Sequence, residues 1–206
     1  MTMYNDVRDF HIAFGLEVSD EFKLPEDKSV RELRRRLLKE EVFEYIEADS
    51  VKNDIVEVAK ELSDVLYIIF GTCVVYGLGD VTNLDSGEVN ISEIFNELGK
   101  TPEFPSNERG VLRNYIIDSM VASFKLYEEA EDIDNLEGIK CAFRLILSNV
   151  IMCCITYKIR IFDVFSEVHK SNMNKLVDGK PLRREDGKVL KPVGWIPPDI
   201  KKILFP

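Results

Sequence analysis

Five acidic residues stand at helical spacing in the N-terminal half of the chain. Segment 39–44 (KEEVFE) contains Glu40, Glu41 and Glu44, and segment 61–64 (ELSD) contains Glu61 and Asp64. Residues three apart lie on one face of a helix, so the members of the pairs 41/44 and 61/64 can point the same way. If the two helices pack antiparallel, as their short connection suggests, the two pairs can converge.

Carboxylates that converge inside a helical bundle repel one another, and burial adds a desolvation cost. A divalent cation such as Mg²⁺ offsets both effects, because it takes oxygen ligands, keeps some of its waters and bridges to phosphate. Two metal ions are compatible with such a site, since paired ions clamp the attacking and leaving oxygens. The pattern therefore favours a Mg²⁺ site, at which we expect Mn²⁺ to substitute.

A solvated helix face is the main alternative, because the chain has 37 acidic residues to scatter. We interpret several of them in that way, namely Glu47, Asp49, Glu57 and the acidic residues of 128–132. A di-iron site of the ferritin type needs Glu-x-x-His on two helices. Neither His11 nor His169 has a Glu three residues before it, so the sequence disfavours that site.

Composition and charge indicate a folded acidic protein. Apolar residues make up 45% of the chain, and the net charge of −10 argues against a protein that grips a nucleic-acid backbone. The sequence opens without a signal-peptide pattern, and its longest apolar run, 65–76, is too short to span a bilayer. We therefore expect a soluble cytoplasmic protein without nucleic-acid or membrane partners, whose cysteines stay reduced.

The period of the apolar positions predicts an all-α fold. The predicted helices cover 29–48, 53–76, 91–98, 111–130, 136–159 and 161–169, and glycines at 77 and 79 end the second of them. The tail 178–206 contains Asp-Gly turn signals and is predicted to be irregular with a small hairpin.

An internal repeat divides the chain. ISEIFNELGK (91–100) matches IFDVFSEVHK (161–170), and upstream the segment starting at residue 62 resembles the one starting at 147. The repeat predicts two tandem helical halves that pack as a pseudo-dimer into a four-helix-bundle-like core. We treat 1–206 as one domain, with an acid-bearing half (1–105), a second half (106–177) and the tail (178–206).

The second half lacks the acidic pattern. Placing residues 37–38 over 116–117 puts Ser119, Met120 and Ser123 where Glu40, Glu41 and Glu44 stand, and Asn149 where Asp64 stands. We therefore expect one live site, in the first half, with the degenerate half supplying walls.

The two acidic segments resemble the EExxE…ExxD pattern of the all-α nucleoside triphosphate pyrophosphohydrolases, which include MazG-like enzymes, dimeric dUTPases and phosphoribosyl-ATP pyrophosphohydrolase. The tail, EVHKSNMNKLVDGKP…REDGKVLKP, is similar to the segment that closes many MazG-like proteins, and VRDFHIAFGL to their opening segment. The resemblance implies metal ligation by Glu41, Glu44, Glu61 and Asp64. It also implies catalytic roles for Glu40 and Glu41, with Glu40 supporting the metal site or orienting water.

The same resemblance implies that Lys170, Asn172 and Lys175 approach the phosphates or sugar of a small nucleotide substrate. The expected reaction is Mg²⁺-dependent hydrolysis of a (d)NTP to the (d)NMP and pyrophosphate by a metal-activated water. Two alternatives stay open, phosphoribosyl-ATP as the substrate and a non-catalytic helical nucleotide-binding module. A homodimer is also left open.

Other residues have two interpretations each. The basic side chains of Arg183, Arg184, Lys188 and Lys191 could close over phosphates or form an ordinary solvated tail. The aromatic stripe of Phe10, His11 and Phe14 is more typical of a core than of a base-stacking surface. Trp195, followed by two prolines, is interpreted as a packing anchor.

Overall fold

Helices form nearly all of the regular structure, which confirms the all-α prediction. The computed structural model describes residues 2–83, 106–183 and 189–206. In these ranges the α-helices are α1 (Met3–Ala13), α2 (Lys28–Glu47), α3 (Ile55–Val75), α4 (Ser106–Asp132), α5 (Leu136–Tyr157), α6 (Ile161–Met173) and α7 (Ile200–Leu204). The predicted helix 91–98, the first copy of the repeat, Arg184 and Lys188 lie outside the described residues.

The α2–α3 hairpin positions the acidic segments. The Asp27 carboxylate accepts a hydrogen bond from the Ser29 amide and so caps α2, and Asp54 caps α3 in the same way. Between them, the π-helical turn Ala48–Lys52 and Asn53, with a φ of 51°, reverse the chain. The helix bounds agree with the prediction to within two residues, whereas the π-helical turn was not predicted.

The apolar helix α3 lies at the centre of the molecule. It packs against α1, α2, α5, α6 and α7, and 15 of its 21 residues are buried. The guanidinium of Arg34 on α2 is buried against it and donates hydrogen bonds to the Thr72 hydroxyl and the Ile68 carbonyl. Gly71 leaves the space for that guanidinium, since a Cβ there would lie 2.5 Å from Arg34 Nη2. Helices α2, α3, α4 and α5 form the predicted bundle core.

Two buried carboxylates contradict the expectation that Asp49 and the run 128–132 are solvated. Asp49 is 2% exposed and accepts hydrogen bonds from the hydroxyls of Tyr45 and Tyr157. Glu131 is 3% exposed and accepts from the hydroxyls of Tyr76 and Tyr127. Spacing alone could not reveal this, because in each case one phenol lies far away in the sequence.

The two tyrosine–carboxylate clusters are reciprocal. Each pairs a tyrosine and an acid four residues apart, Tyr45 with Asp49 and Tyr127 with Glu131. The second phenol comes from the end of the second helix of the opposite half, Tyr157 at the end of α5 or Tyr76 at the end of α3. A two-fold relation between the halves would produce this exchange, and the division of the chain into halves stays a prediction.

The small hairpin predicted in the tail is present. Strands β1 (Leu176–Val177) and β2 (Lys180–Pro181) pair antiparallel, and an isolated bridge joins Arg183 to Val189. Gly179 provides the positive φ of 74° that the turn needs.

Helix α5 is long and apolar enough to cross a membrane by length and composition alone. Its most apolar window has a mean hydropathy of 1.7, and 56% of that window is buried inside the fold. Because the core helix of a helical bundle meets the same criterion, this is weak evidence for a membrane segment.

Candidate metal site and adjoining pocket

Three carboxylates from the two acidic segments converge. Glu41 on α2 and Glu61 and Asp64 on α3 each offer an oxygen, and these oxygens all lie within 4.8 Å of one another. The antiparallel hairpin brings the segments together, as expected, because 41 lies near the end of α2 and 61–64 in the first half of α3.

The other two acids of the segments are placed differently. The side chains of Glu40 and Glu44 are exposed, and neither belongs to the three-carboxylate group. Glu44 is nevertheless close enough for its charge to contribute to raising the pKa of Glu41. Its role as a fourth ligand and the catalytic role of Glu40 therefore stay predictions.

Burial dominates the electrostatics of the three acids. Desolvation, together with the charges of neighbouring carboxylates, raises the pKa of Glu41 to about 8. Desolvation raises the pKa of Glu61 to about 7, although the nearby ammonium of Lys60 opposes it. Burial also raises the pKa of Asp64. In the metal-free protein these acids therefore hold protons at pH values where free carboxyls have lost them.

The donor set fits a hard divalent cation. All three side chains offer carboxylate oxygens, and Glu61 Oε2 is buried without a hydrogen-bond partner among the described residues. The Lys60 ammonium lies 2.7 Å from Glu61 Oε1 and 3.1 Å from Asp64 Oδ2, so one internal cation already partly compensates the acids. An orphaned buried oxygen in such a group is what a metal ligand would leave.

A pocket of about 150 Å³ adjoins the acids and shares Asp64 with them. Its lining comes from α3, α6 and the tail, and consists of Lys60, Asp64, Val168, Ser171, Asn172, Lys175, Lys191, Trp195 and Pro198. Lys175 Nζ donates to Asn172 Oδ1 over 2.7 Å. The pocket is therefore a mixed surface with three lysines facing one carboxylate.

The predicted substrate-binding residues divide between this pocket and solvent. Asn172 and Lys175 line the pocket. Lys170 does not line it; its side chain is 70% exposed and pairs with Glu167 at 3.6 Å. Contact between Lys170 and a substrate therefore stays a prediction.

Lys60 and Trp195 are among the lining residues that had no role in the sequence-based site. Lys60 immediately precedes Glu61, and a lysine beside an acidic segment is an ordinary surface pattern. Trp195 was interpreted as a packing anchor, and its indole does donate to the Ser171 carbonyl. It also lines the pocket, which only the docking of the tail against α6 reveals.

The aromatic stripe of α1 belongs to the core, as its pattern favoured. Phe14 is 1% exposed and stacks on Phe10 with ring centroids 4.0 Å apart. His11 is 4% exposed, and its Nδ1 is hydrogen-bonded to the Glu17 carbonyl over 2.8 Å.

In the second half, the residues that align with the acids of the first half are uncharged, and two of them are in contact. Asn149, aligned with Asp64, donates to the hydroxyl of Ser123, aligned with Glu44, over 3.3 Å. Met120, aligned with Glu41, is fully buried. The same region of the second half thus holds a neutral polar contact in an apolar setting.

The fold and the site together define a helical-bundle protein whose candidate metal site is built from acidic side chains on two facing helices. Residues 7–100 match the family of phosphoribosyl-ATP pyrophosphohydrolase. This match, over slightly less than half of the chain, supports the all-α nucleoside triphosphate pyrophosphohydrolase superfamily predicted from the acidic segments. In general terms it indicates a nucleotide pyrophosphohydrolase, a hydrolase that acts on phosphoric anhydrides.

The chain is also similar to an uncharacterized protein of Acanthamoeba polyphaga mimivirus. The two are 28% identical over 191 residues, which cover 85% of this chain and 71% of the relative. No solved structure matches the chain significantly. The family match ends at residue 100, so it includes the three converging acids but not the α6 and tail residues of the pocket.

Proposed function

We propose that the protein is a Mg²⁺-dependent pyrophosphohydrolase that cleaves a (d)NTP to the (d)NMP and pyrophosphate. The observation that supports this proposal is the convergence of Glu41, Glu61 and Asp64 beside a pocket that contains lysines. Carboxylates suit the metal that accompanies a triphosphate, and ammonium groups suit the phosphates themselves.

The proposed roles combine the positions of the residues with the resemblance of the two acidic segments. Glu41, Glu61 and Asp64 would hold Mg²⁺, with Glu44 as the predicted fourth ligand. A bound Mg²⁺ supplies Lewis-acid chemistry and lowers the pKa of a coordinated water. Glu40, exposed next to Glu41, is the proposed acceptor of the proton from that water.

The pocket residues would bind the leaving group. Lys175 is half-buried against α6 and is held by Asn172, so its ammonium is directed by a hydrogen bond and is not free to move as on an open surface. A directed ammonium stabilises the charge that develops on departing pyrophosphate more than a mobile one does.

Phosphoribosyl-ATP is the second candidate substrate, because the matching family carries that name. Both substrates carry a triphosphate on a nucleoside, and both release pyrophosphate. The described residues do not separate them, so both belong in the same assay.

A substrate panel tests the function. The purified protein would be incubated with Mg²⁺ and each NTP, dNTP or phosphoribosyl-ATP, and the released phosphate species identified. We expect pyrophosphate as the direct product. Direct release of orthophosphate contradicts the proposal, and absence of turnover across the panel favours the nucleotide-binding module.

A charge-removing substitution tests the site. Glu41→Gln keeps the shape of the side chain, and we expect it to lower kcat/KM by about 10²- to 10³-fold, because a metal ligand is lost. Glu129→Gln is the matched control, since that exposed side chain on α4 pairs only loosely with Lys125, at 3.8 Å. Equal activity of both variants would contradict the role of Glu41 as a metal ligand.

We also propose that the protein is cytoplasmic, consists of three segments (1–105, 106–177 and 178–206) and has a small-molecule partner. Whether it forms a homodimer is tested by light scattering of the full chain over a range of concentrations.

A further inference from the structure

The tail is fixed to α6 by two hydrogen bonds that meet at one residue. The indole Nε1 of Trp195 donates to the Ser171 carbonyl over 2.9 Å, and the Ser171 hydroxyl donates to the Ile196 carbonyl over 3.0 Å. Ser171 is 4% exposed, so water competes little for either bond. The indole ring therefore has a defined position on the wall of the pocket.

Two ammonium groups lie over that ring. Lys191 Nζ is 4.2 Å from the centroid of Trp195, and Lys175 Nζ is 5.7 Å from it. Attraction between a cation and the face of an indole is the strongest of its kind among side chains. The aromatic ring thus gathers one lysine from the end of α6 and one from the tail.

No described carboxylate forms an ion pair with either of these two lysines. Among residues 2–83, 106–183 and 189–206, neither ammonium has a carboxylate oxygen within ion-pair distance. Burial and the charge of Lys191 lower the pKa of Lys175, while the charge of Asp64 opposes that effect. An anion placed between the two ammonium groups would relieve their repulsion.

The size of the pocket limits what that anion is. A volume of about 150 Å³ is below the roughly 300 Å³ at which pockets begin to enclose drug-sized ligands. A pocket of this size suits a small anion such as a diphosphate. Asp64 lines the pocket and also belongs to the acid group, so an anion here would lie beside the metal site.

We propose that Trp195 is a positioning residue that holds the ammonium groups of Lys175 and Lys191 as a binding site for a diphosphate. This inference deepens the proposed function, since it assigns the leaving pyrophosphate to a site built partly from the tail. The tail is then part of the substrate site and more than a packing element.

The single tryptophan of the chain provides a direct readout. Inorganic pyrophosphate would be titrated into the full-length protein, with Mg²⁺ and separately with EDTA, while tryptophan emission is recorded. We expect a saturable change in emission under both conditions, because the bound anion changes the charge beside the indole ring that holds the two ammonium groups. An emission that does not respond to pyrophosphate under either condition overturns the proposal.

Variants separate the site from general charge effects. Lys191→Met should weaken pyrophosphate binding about tenfold, which corresponds to about 1.4 kcal/mol. Lys202→Met, which removes an exposed lysine from α7, should leave it unchanged. Equal affinity of both variants overturns the proposal.

Calorimetry tests the positioning role of the indole. Trp195→Leu should lose most of the affinity for pyrophosphate, and Trp195→Phe should restore part of it, because phenylalanine keeps an aromatic face but not the indole N–H. A Phe variant that binds no better than the Leu variant overturns the positioning role.

The two proposals fail separately. A protein that releases pyrophosphate from a substrate but binds it independently of Lys191 and Trp195 loses only the diphosphate site. A protein that turns over no substrate but binds pyrophosphate through these residues loses only the enzymatic function.

Discussion

Glu41 and Glu61 show how burial and crowding act together on individual residues. Each lies beside two or more other acids in a region that α2 and α3 shield from water. Their folded-state pKa values of about 8 and about 7 lie well above the ordinary value of 4.5 for a glutamate side chain. The stability of the metal-free protein should therefore depend measurably on pH.

The metal-free protein should lose stability as the pH rises from 5 to 8. Between 4.5 and about 8 the folded state holds a proton on Glu41 that the unfolded state has released. A state that binds more protons is favoured at lower pH, so unfolding becomes easier as the pH increases through this window. Glu41→Gln removes the effect of this group and should flatten the dependence.

Thermal unfolding in EDTA at several pH values provides the measurement. The difference in Tm between Glu41→Gln and the wild type should increase in favour of the variant from pH 5 to pH 8. A difference that stays constant with pH would contradict the raised pKa. Mg²⁺ should reverse the trend in the wild type, because metal binding requires the ionised form.

The sequence predicted part of this site. The three-residue spacing placed Glu41, Glu61 and Asp64 together correctly, because it depends only on the helical period and on one short connection. The spacing could not predict that Glu44 stays outside the group, since this depends on the rotation of α2 against α3. The roles of Lys60 and Trp195 depend on contacts that no local pattern records.

At the scale of elements, a carboxylate at the end of α4 joins three helices. Glu131 accepts hydrogen bonds from Tyr76 at the end of α3, from Tyr127 on its own helix and from Arg35 on α2. Its side chain is 2% exposed, whereas that of Arg35 is 29% exposed. The buried carboxylate therefore needs these donors to compensate its charge, and the buried phenols need the carboxylate as their acceptor.

Glu131→Ala should lower the free energy of unfolding by about 3 kcal/mol, because it leaves the buried phenols of Tyr76 and Tyr127 without their acceptor, whereas Arg35 keeps its bond to Asp132. Urea-induced unfolding would measure the change. Glu129→Ala, on the exposed side of the same helix, should change stability by less than about 0.5 kcal/mol. Similar effects of the two substitutions would show that the Glu131 cluster contributes little.

Helix positions were easier to predict than the burial of single acids. The apolar period of α2, α3 and α5 is strong and local, so the predicted bounds differ from the observed ones by no more than two residues. Helix α4 begins five residues earlier than predicted, at Ser106, because its first turns are too polar to show the period. The burial of Glu131 and Asp49 was not predicted because one phenol partner of each acid comes from a distant helix.

At the scale of the whole molecule, the reciprocal clusters join the two halves. Tyr157 of the second half donates to Asp49 over 2.6 Å, and Tyr76 of the first half donates to Glu131. The repeat in the sequence predicted two related halves, but not that each would complete a cluster in the other. That exchange depends on how the hairpins dock.

Tyr76→Phe and Tyr157→Phe should each lower stability by about 1 kcal/mol, since each removes one hydrogen bond to a buried acid. Because each bond crosses between halves, both variants should shift a single transition shared by circular dichroism and tryptophan fluorescence. Leu145→Ala, at an exposed position of α5, provides a control for general effects of substitution. Two separate transitions in either variant would contradict joint unfolding of the halves.

The exchange of phenols also bears on how such a chain arose. Two separate copies with these contacts would come apart on dilution, whereas a tether keeps the local concentration of each partner high at any dilution. If the second half is a duplicate, as the repeat predicts, it need only remain a good partner and is free to lose its acids. The neutral Ser123–Asn149 contact lies at the positions aligned with Glu44 and Asp64 of the first half.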